Sequence, residues 1–119
     1  MIRVLIVDDQ SIFRRHLRRL LTQAGLDVVG EVGSIADAES VIEQQAPDLA
    51  IVDVMLPGVN GLEGTPRLKA KAPQLRVILV SAHQDRAELF KAAAENVGAE
   101  AFFAKDDLNL ALVQTWAQE

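Results

Sequence analysis

The chain has 119 residues, 50% of them hydrophobic and 24% charged, with a formal net charge of -5 and no cysteine. That balance fits one compact domain with a real core and does not suggest disorder, and the lack of cysteine excludes disulfides and thiol catalysis. A mildly acidic domain is also a poor candidate for wrapping nucleic acid or lying on an anionic membrane by itself. The start, MIRVLIVDD, reaches two aspartates too early for a signal peptide. No apolar run is long enough to span a bilayer, and the lack of cysteine fits a reducing cytoplasm.

The first element is an apolar run, Ile2–Val7, which predicts a strand. The helix that follows is sharply two-faced. Phe13, Leu17, Leu20, Leu21 and Ala24 share one side, and Arg14, Arg15, Arg18 and Arg19 share the other. Gly25 is its stop. His16 should border the core. A second strand, Val28–Glu31, is the least apolar of the set and is assigned to a sheet edge. The second helix should run from about Ser34, as N-cap, to Ala46, where Pro47 blocks continuation.

Leu49–Val52 is the third strand. The third helix ends before Pro73. Gly64, Thr65 and Pro66 sit where it should already be running, so Thr65 is expected as N-cap of a late start. Val77–Val80 is the fourth strand, and a fourth helix runs from about Asp85 to Asn96, with Gly98 after it. Ala101–Ala104 is the fifth strand. The last helix starts near Asp107 and includes Leu108, Leu112 and Trp116, the tryptophan packing it down. Five repeats of strand then helix, with strands nearly continuous in apolar residues, predict a doubly wound α/β domain spanning 1–119. It has a parallel sheet covered by helices on both faces.

In such sheets, ligands sit beyond the carboxyl ends of the strands. The first strand ends in Asp8 and Asp9, the third in Asp53, the fourth in Ser81, and the fifth just before Lys105. Any one of these, taken alone, would pass as a solvated loop residue. Together they bring three carboxylates, a hydroxyl and an ammonium to one edge. Two carboxylates about 4 Å apart repel by roughly 4 kcal/mol at an effective dielectric of 20. Three such groups call for a cation, and an oxygen-only donor set suits Mg²⁺. A carboxylate is also a competent nucleophile for phosphoryl transfer, with Lys105 and Ser81 placed to meet the phosphoryl oxygens.

At this point the sequence resembles the CheY-like receiver domain of two-component response regulators, over essentially the whole chain. The residues that carry the likeness are VLIVDDQ (Val4–Gln10), DLAIVDVMLPGVNGLE (Asp48–Glu63), VILVSAH (Val77–His83) and GAEAFFAKDDL (Gly98–Leu108). The first and last segments look most like receivers of the NarL/LuxR type. The resemblance implies a flavodoxin-like sheet of strand order 2-1-3-4-5. It implies Asp53 as phosphoacceptor, and Asp8, Asp9, Asp53 and the backbone carbonyl of Met55 as the Mg²⁺ site. Lys105 and Ser81 are the implied catalytic partners, with Ser81 and Phe102 as the switch pair. The surface of the fourth helix, fifth strand and fifth helix would report the change.

Such a domain is a signalling module that catalyses its own phosphorylation and dephosphorylation, rather than an enzyme acting on outside substrates. Its implied partners are a sensor histidine kinase, a DNA-binding output domain or separate effector, and a second copy in a homodimer. In the family, Met55 and His83 border the path of the attacking water, and the first helix with its arginines can dock the kinase.

Four features depart from the pattern. Lys105 is followed by Asp106, where many receivers have proline, although NarL-type members often lack it. The stretch from Ser81 to Lys105 is a couple of residues longer than usual. Gly64–Pro66 alters the start of the third helix. The sequence also stops with the fifth helix, as an excised receiver or a single-domain regulator would.

Other classes fit less well. A pseudo-receiver, acting as an interaction module without phosphorylation, would not need all five polar residues. An FMN carrier needs a hydroxyl-rich phosphate loop where Asp8 and Asp9 stand. An aspartyl-phosphate hydrolase has its second aspartate two residues on, not adjacent.

Overall fold

The computed structural model describes residues 1–82 and 84–118, so the expectation for His83 lies outside the described residues. Five strands alternate with five helices: β1 (Arg3–Val7), α1 (Ser11–Gln23), β2 (Asp27–Val32), α2 (Ile35–Gln45), β3 (Leu49–Asp53), α3 (Gly61–Lys71), β4 (Arg76–Ser81), α4 (Ala87–Asn96), β5 (Ala101–Ala104) and α5 (Leu110–Trp116). The strands are all parallel, in the order β2-β1-β3-β4-β5. The least apolar strand does lie at an edge.

Alternation along each strand divides the core in two. Leu5, Val7, Ala50, Val52, Val77 and Leu79 face α2, α3 and α4 through Ile35, Ile42, Leu68 and Phe90. Val4, Ile6, Leu49, Ile51, Ile78 and Val80 face α1 and α5 through Leu17, Leu21, Val113 and Trp116. The central strands are therefore apolar on both faces, which is why they read as unbroken runs. Trp116 is buried and tilts against Phe103 at 5.9 Å between ring centroids, so it does pack the last helix.

Helix boundaries follow local caps. Ser34 Oγ accepts the N–H of Asp37 and opens α2 as expected, and Ala46 closes it in the left-handed region at φ 47°. The expected late start of α3 at Thr65 is wrong. The N-cap is Asn60, whose Oδ1 accepts the N–H of Glu63 at 2.8 Å. Pro66 lies inside the helix. Its missing N–H removes one ladder bond, beyond the first turn that the Asn60 cap secures. Thr65 is buried, and its hydroxyl donates to the Gly61 carbonyl at 2.7 Å.

The last two helices, by contrast, start later than expected. Gln84–Arg86 forms a short 3₁₀ turn before α4. Lys105–Asp107 forms another, and Leu108 is extended rather than helical. Asn109 Oδ1 accepts the N–H of Leu112 and makes Leu110 the first residue of α5. Among the described residues no peptide bond is cis, and no helix is long and apolar enough to cross a membrane.

Candidate functional site

The polar residues gather where the strands end. Asp8 directly follows β1, and its N–H donates to Val32 O at 2.9 Å, tying that loop to the end of β2. Asp53 is the last residue of β3, and Ser81 the last of β4, opposite Ala104 of β5. Lys105 comes next after β5. Asp8, Asp53 and Ser81 are 1%, 4% and 0% exposed, whereas Asp9 is exposed.

Lys105 is the central cation. Its Nζ lies 2.7 Å from Asp8 Oδ2 and 3.2 Å from Asp53 Oδ2. It donates to Gln10 Oε1 at 3.1 Å and sits 4.2 Å from the centroid of the Phe13 ring. The other oxygen of each buried carboxylate takes a backbone donor two residues on: Gln10 N–H to Asp8 Oδ1 at 2.8 Å, and Met55 N–H to Asp53 Oδ1 at 3.0 Å. Burial pushes the Asp53 carboxyl above the ordinary carboxylate range. The Met55 N–H and the Lys105 charge pull it back, while Asp8 pushes it up.

Two backbone hydrogen bonds anchor the loop after β3. Val54 N–H donates to Val80 O and Gly61 N–H to Val54 O, both at 2.9 Å. A Cβ on Gly61 would collide with the Asp53 carbonyl oxygen, so only glycine lets α3 begin this close to the end of β3.

Asp8, Asp9 and Asp53 each offer a carboxylate oxygen, and these oxygens lie within 4.8 Å of one another. Asp8 Oδ2 is buried and, although close to the ammonium, receives no hydrogen bond of acceptable geometry. An all-oxygen set with one buried oxygen lacking a donor fits a hard divalent cation such as Mg²⁺ better than a thiophilic metal.

Phe102 is half-buried, its ring 5.9 Å from that of Phe90 at 57°, on the α4 side of the sheet. The Met55 side chain is 47% exposed at the rim. The arginines of α1 are not one free stripe. Arg14 Nη1 donates to the Asp8 carbonyl at 2.6 Å, and Arg14 and Arg18 both meet Glu31, while Arg15 and Arg19 are exposed. His16 is exposed instead of bordering the core, because its position falls outside the stripe formed by Leu17 and Leu21. The sequence reading missed Gln10 and Arg14 as site neighbours. Gln10 carries no signal beyond following the acidic pair.

A model of the response regulator receiver domain matches residues 4–115. The chain belongs to the response regulator receiver family. The DNA-binding transcriptional activator DevR/DosR of Mycobacterium tuberculosis is 42% identical over 89% of this receiver and 48% of its own length. The transcriptional regulatory protein NarL of the same species is 32% identical over 95% of this receiver and 52% of its own length. The solved signal receiver domain of that species' NarL superposes with a TM-score of 0.86 at 30% identity, covering 98% of this receiver and 92% of that chain. These relatives make it a receiver of the NarL/LuxR type. The chain spans about half the length of the curated relatives it matches.

Proposed function

We propose that this receiver takes a phosphoryl group onto Asp53 from the phosphohistidine of a sensor histidine kinase and uses it as a reversible signal. The observation that carries the reading is the Asp8–Lys105–Asp53 contact set at the strand ends, in a chain of the receiver family. An Asp53 carboxylate oxygen attacks phosphorus, the phosphorus–nitrogen bond breaks, and its electron pair leaves with the imidazole. The product is an acyl phosphate, and water later attacks it to release phosphate and restore the carboxylate.

Residues of this chain divide the work. Met55 N–H holds one oxygen of Asp53, which orients the other. Lys105 offers the ammonium that pairs with a phosphoryl oxygen, and the Ser81 hydroxyl donates to another. Asp8, Asp9, Asp53 and the Met55 carbonyl would hold Mg²⁺. When bound, that ion offsets the negative charge of the carboxylates and the phosphoryl group. Movement of Ser81 toward the phosphoryl group and of Phe102 inward would repack the surface of α4, β5 and α5, a shift between two populated states of one fold. The longer relative named as a DNA-binding transcriptional activator supports an attached DNA-binding output as reader of that surface; a separate effector or a second copy in a homodimer are the other readers of this proposal.

The test is labelling with acetyl phosphate, with and without Mg²⁺, of wild type and Asp53→Ala. The expected result is Mg²⁺-dependent incorporation of one phosphoryl group in the wild type and none in the variant. Labelling of Asp53→Ala at the same level refutes the assignment. A wild type that binds Mg²⁺ but never labels is an interaction module.

A further inference from the structure

Gln10 stands at the N-cap of α1 but does not cap it. Its side chain takes none of the free N–H groups of the first turn. It reaches Lys105 instead, 95 residues away in the chain, and accepts from the ammonium. Phe13, in the first turn of the helix, turns its ring face to the same ammonium. Lys105 thus has two kinds of partner. Asp8 and Asp53 are charged, and they belong to the acidic set suited to a divalent cation. The Gln10 amide oxygen and the Phe13 ring are neutral.

The distinction matters when a cation enters. A divalent ion at the carboxylates repels Lys105 and competes for its charged partners, so ion pairing alone would release the ammonium at the moment it is needed. A neutral amide oxygen and an aromatic face lose nothing in that exchange. We infer that Gln10 and Phe13 are positioning residues, a neutral cradle that keeps the Lys105 ammonium beside Asp53 when the carboxylates turn to the cation. The inference rests on the reading of Asp53 as phosphoryl acceptor and assigns the side chains that ready its lysine.

Serine is a good N-cap, so Gln10→Ser separates a structural role from a positioning one. The probe is beryllofluoride, titrated into the whole chain with Mg²⁺ and followed by ¹⁹F NMR, alongside Gln10→Ser and Phe13→Leu. Gln10→Ser is expected to melt at or above the wild-type temperature without metal. It should nonetheless bind beryllofluoride about threefold to tenfold more weakly, with a shifted fluorine resonance. Phe13→Leu, which keeps an apolar side chain against the core, is expected to weaken binding to a similar degree. Mg²⁺ affinity without beryllofluoride, read from backbone amide shifts, should not fall in either variant. Wild-type affinity and fluorine shift in both variants overturn the inference. So does loss of beryllofluoride binding only in step with loss of Mg²⁺ binding and of melting temperature. If the wild type itself binds no beryllofluoride, the reading of Asp53 fails, and the cradle fails with it.

Discussion

Asp53 carries a cost in the metal-free protein that its neighbours only partly offset. Burial raises its affinity for a proton above that of an unfolded carboxyl, whose ordinary value is 3.8. The folded chain therefore holds this proton more tightly than the unfolded one. Stability from that difference is fully present below the unfolded value and is lost as pH rises through the raised folded value. At neutral pH the ionised, buried group weakens the fold. Asp53→Asn should thus be more stable than wild type at pH 7 without Mg²⁺, and the advantage should shrink as pH falls through the raised folded value toward the unfolded one. Denaturant unfolding at a series of pH values measures it. An advantage that grows on acidification would contradict the assignment of burial as the dominant cause. The same residue shows why Asp53 stands out in the sequence while its surroundings do not. Asp53 ends an apolar run, which is visible locally. Its dependence on Gln10 and Phe13 through Lys105 joins distant segments that share no periodicity.

At the scale of elements, side-chain caps mark where α2, α3 and α5 begin, and caps compete. Gly64, Thr65 and Pro66 offered strong local signals for a late α3, yet Asn60 won because the backbone at Gly61 lies against Asp53 and needs a helix start there. That approach is tertiary, so the local sequence could not express it. The strands were legible for the opposite reason, since burial on both faces leaves an unbroken apolar run, and the runs of β1, β3, β4 and β5 stop at the polar residues of the candidate site. The start of α5 was misread because Asp106 and Asp107 resemble a helix opening, whereas Asn109 makes the cap bond. Two substitutions test the account of α3. Asn60→Ala removes one cap bond and should cost about 1 kcal/mol. Gly61→Ala places a methyl group against backbone that has no room to yield, and should cost about 3 kcal/mol. Both are read by urea unfolding. A Gly61→Ala protein as stable as Asn60→Ala would mean the strand–helix junction relaxes freely.

Taken as a whole, the molecule concentrates negative charge at one sheet edge while its net charge is already -5. Asp8 and Asp9 come from the first strand–helix junction and Asp53 from the third, so the set exists only in the folded chain. A cation that needs all three binds the native state and not the unfolded one, and it must stabilise by mass action. At ten times its dissociation constant the gain is about 1.4 kcal/mol. For a domain of this size that raises the melting temperature by about 5 °C. Sodium chloride at matched ionic strength should give much less, because screening lowers general repulsion without occupying the site. Asp8→Asn should lose most of the Mg²⁺ increment, since it removes the carboxylate whose buried oxygen lacks a donor. Lys105→Met should enlarge it: without its ammonium the buried pair Asp8 and Asp53 has no countercharge, and the divalent ion becomes the only one on offer. A melting temperature that rises equally with Mg²⁺ and with matched salt, in all three proteins, would reduce the acidic edge to ordinary surface charge. Selective rescue of Lys105→Met by Mg²⁺ would instead show that lysine and metal neutralise the same carboxylates. That is the electrostatic exchange which the proposed phosphoryl acceptance at Asp53 requires.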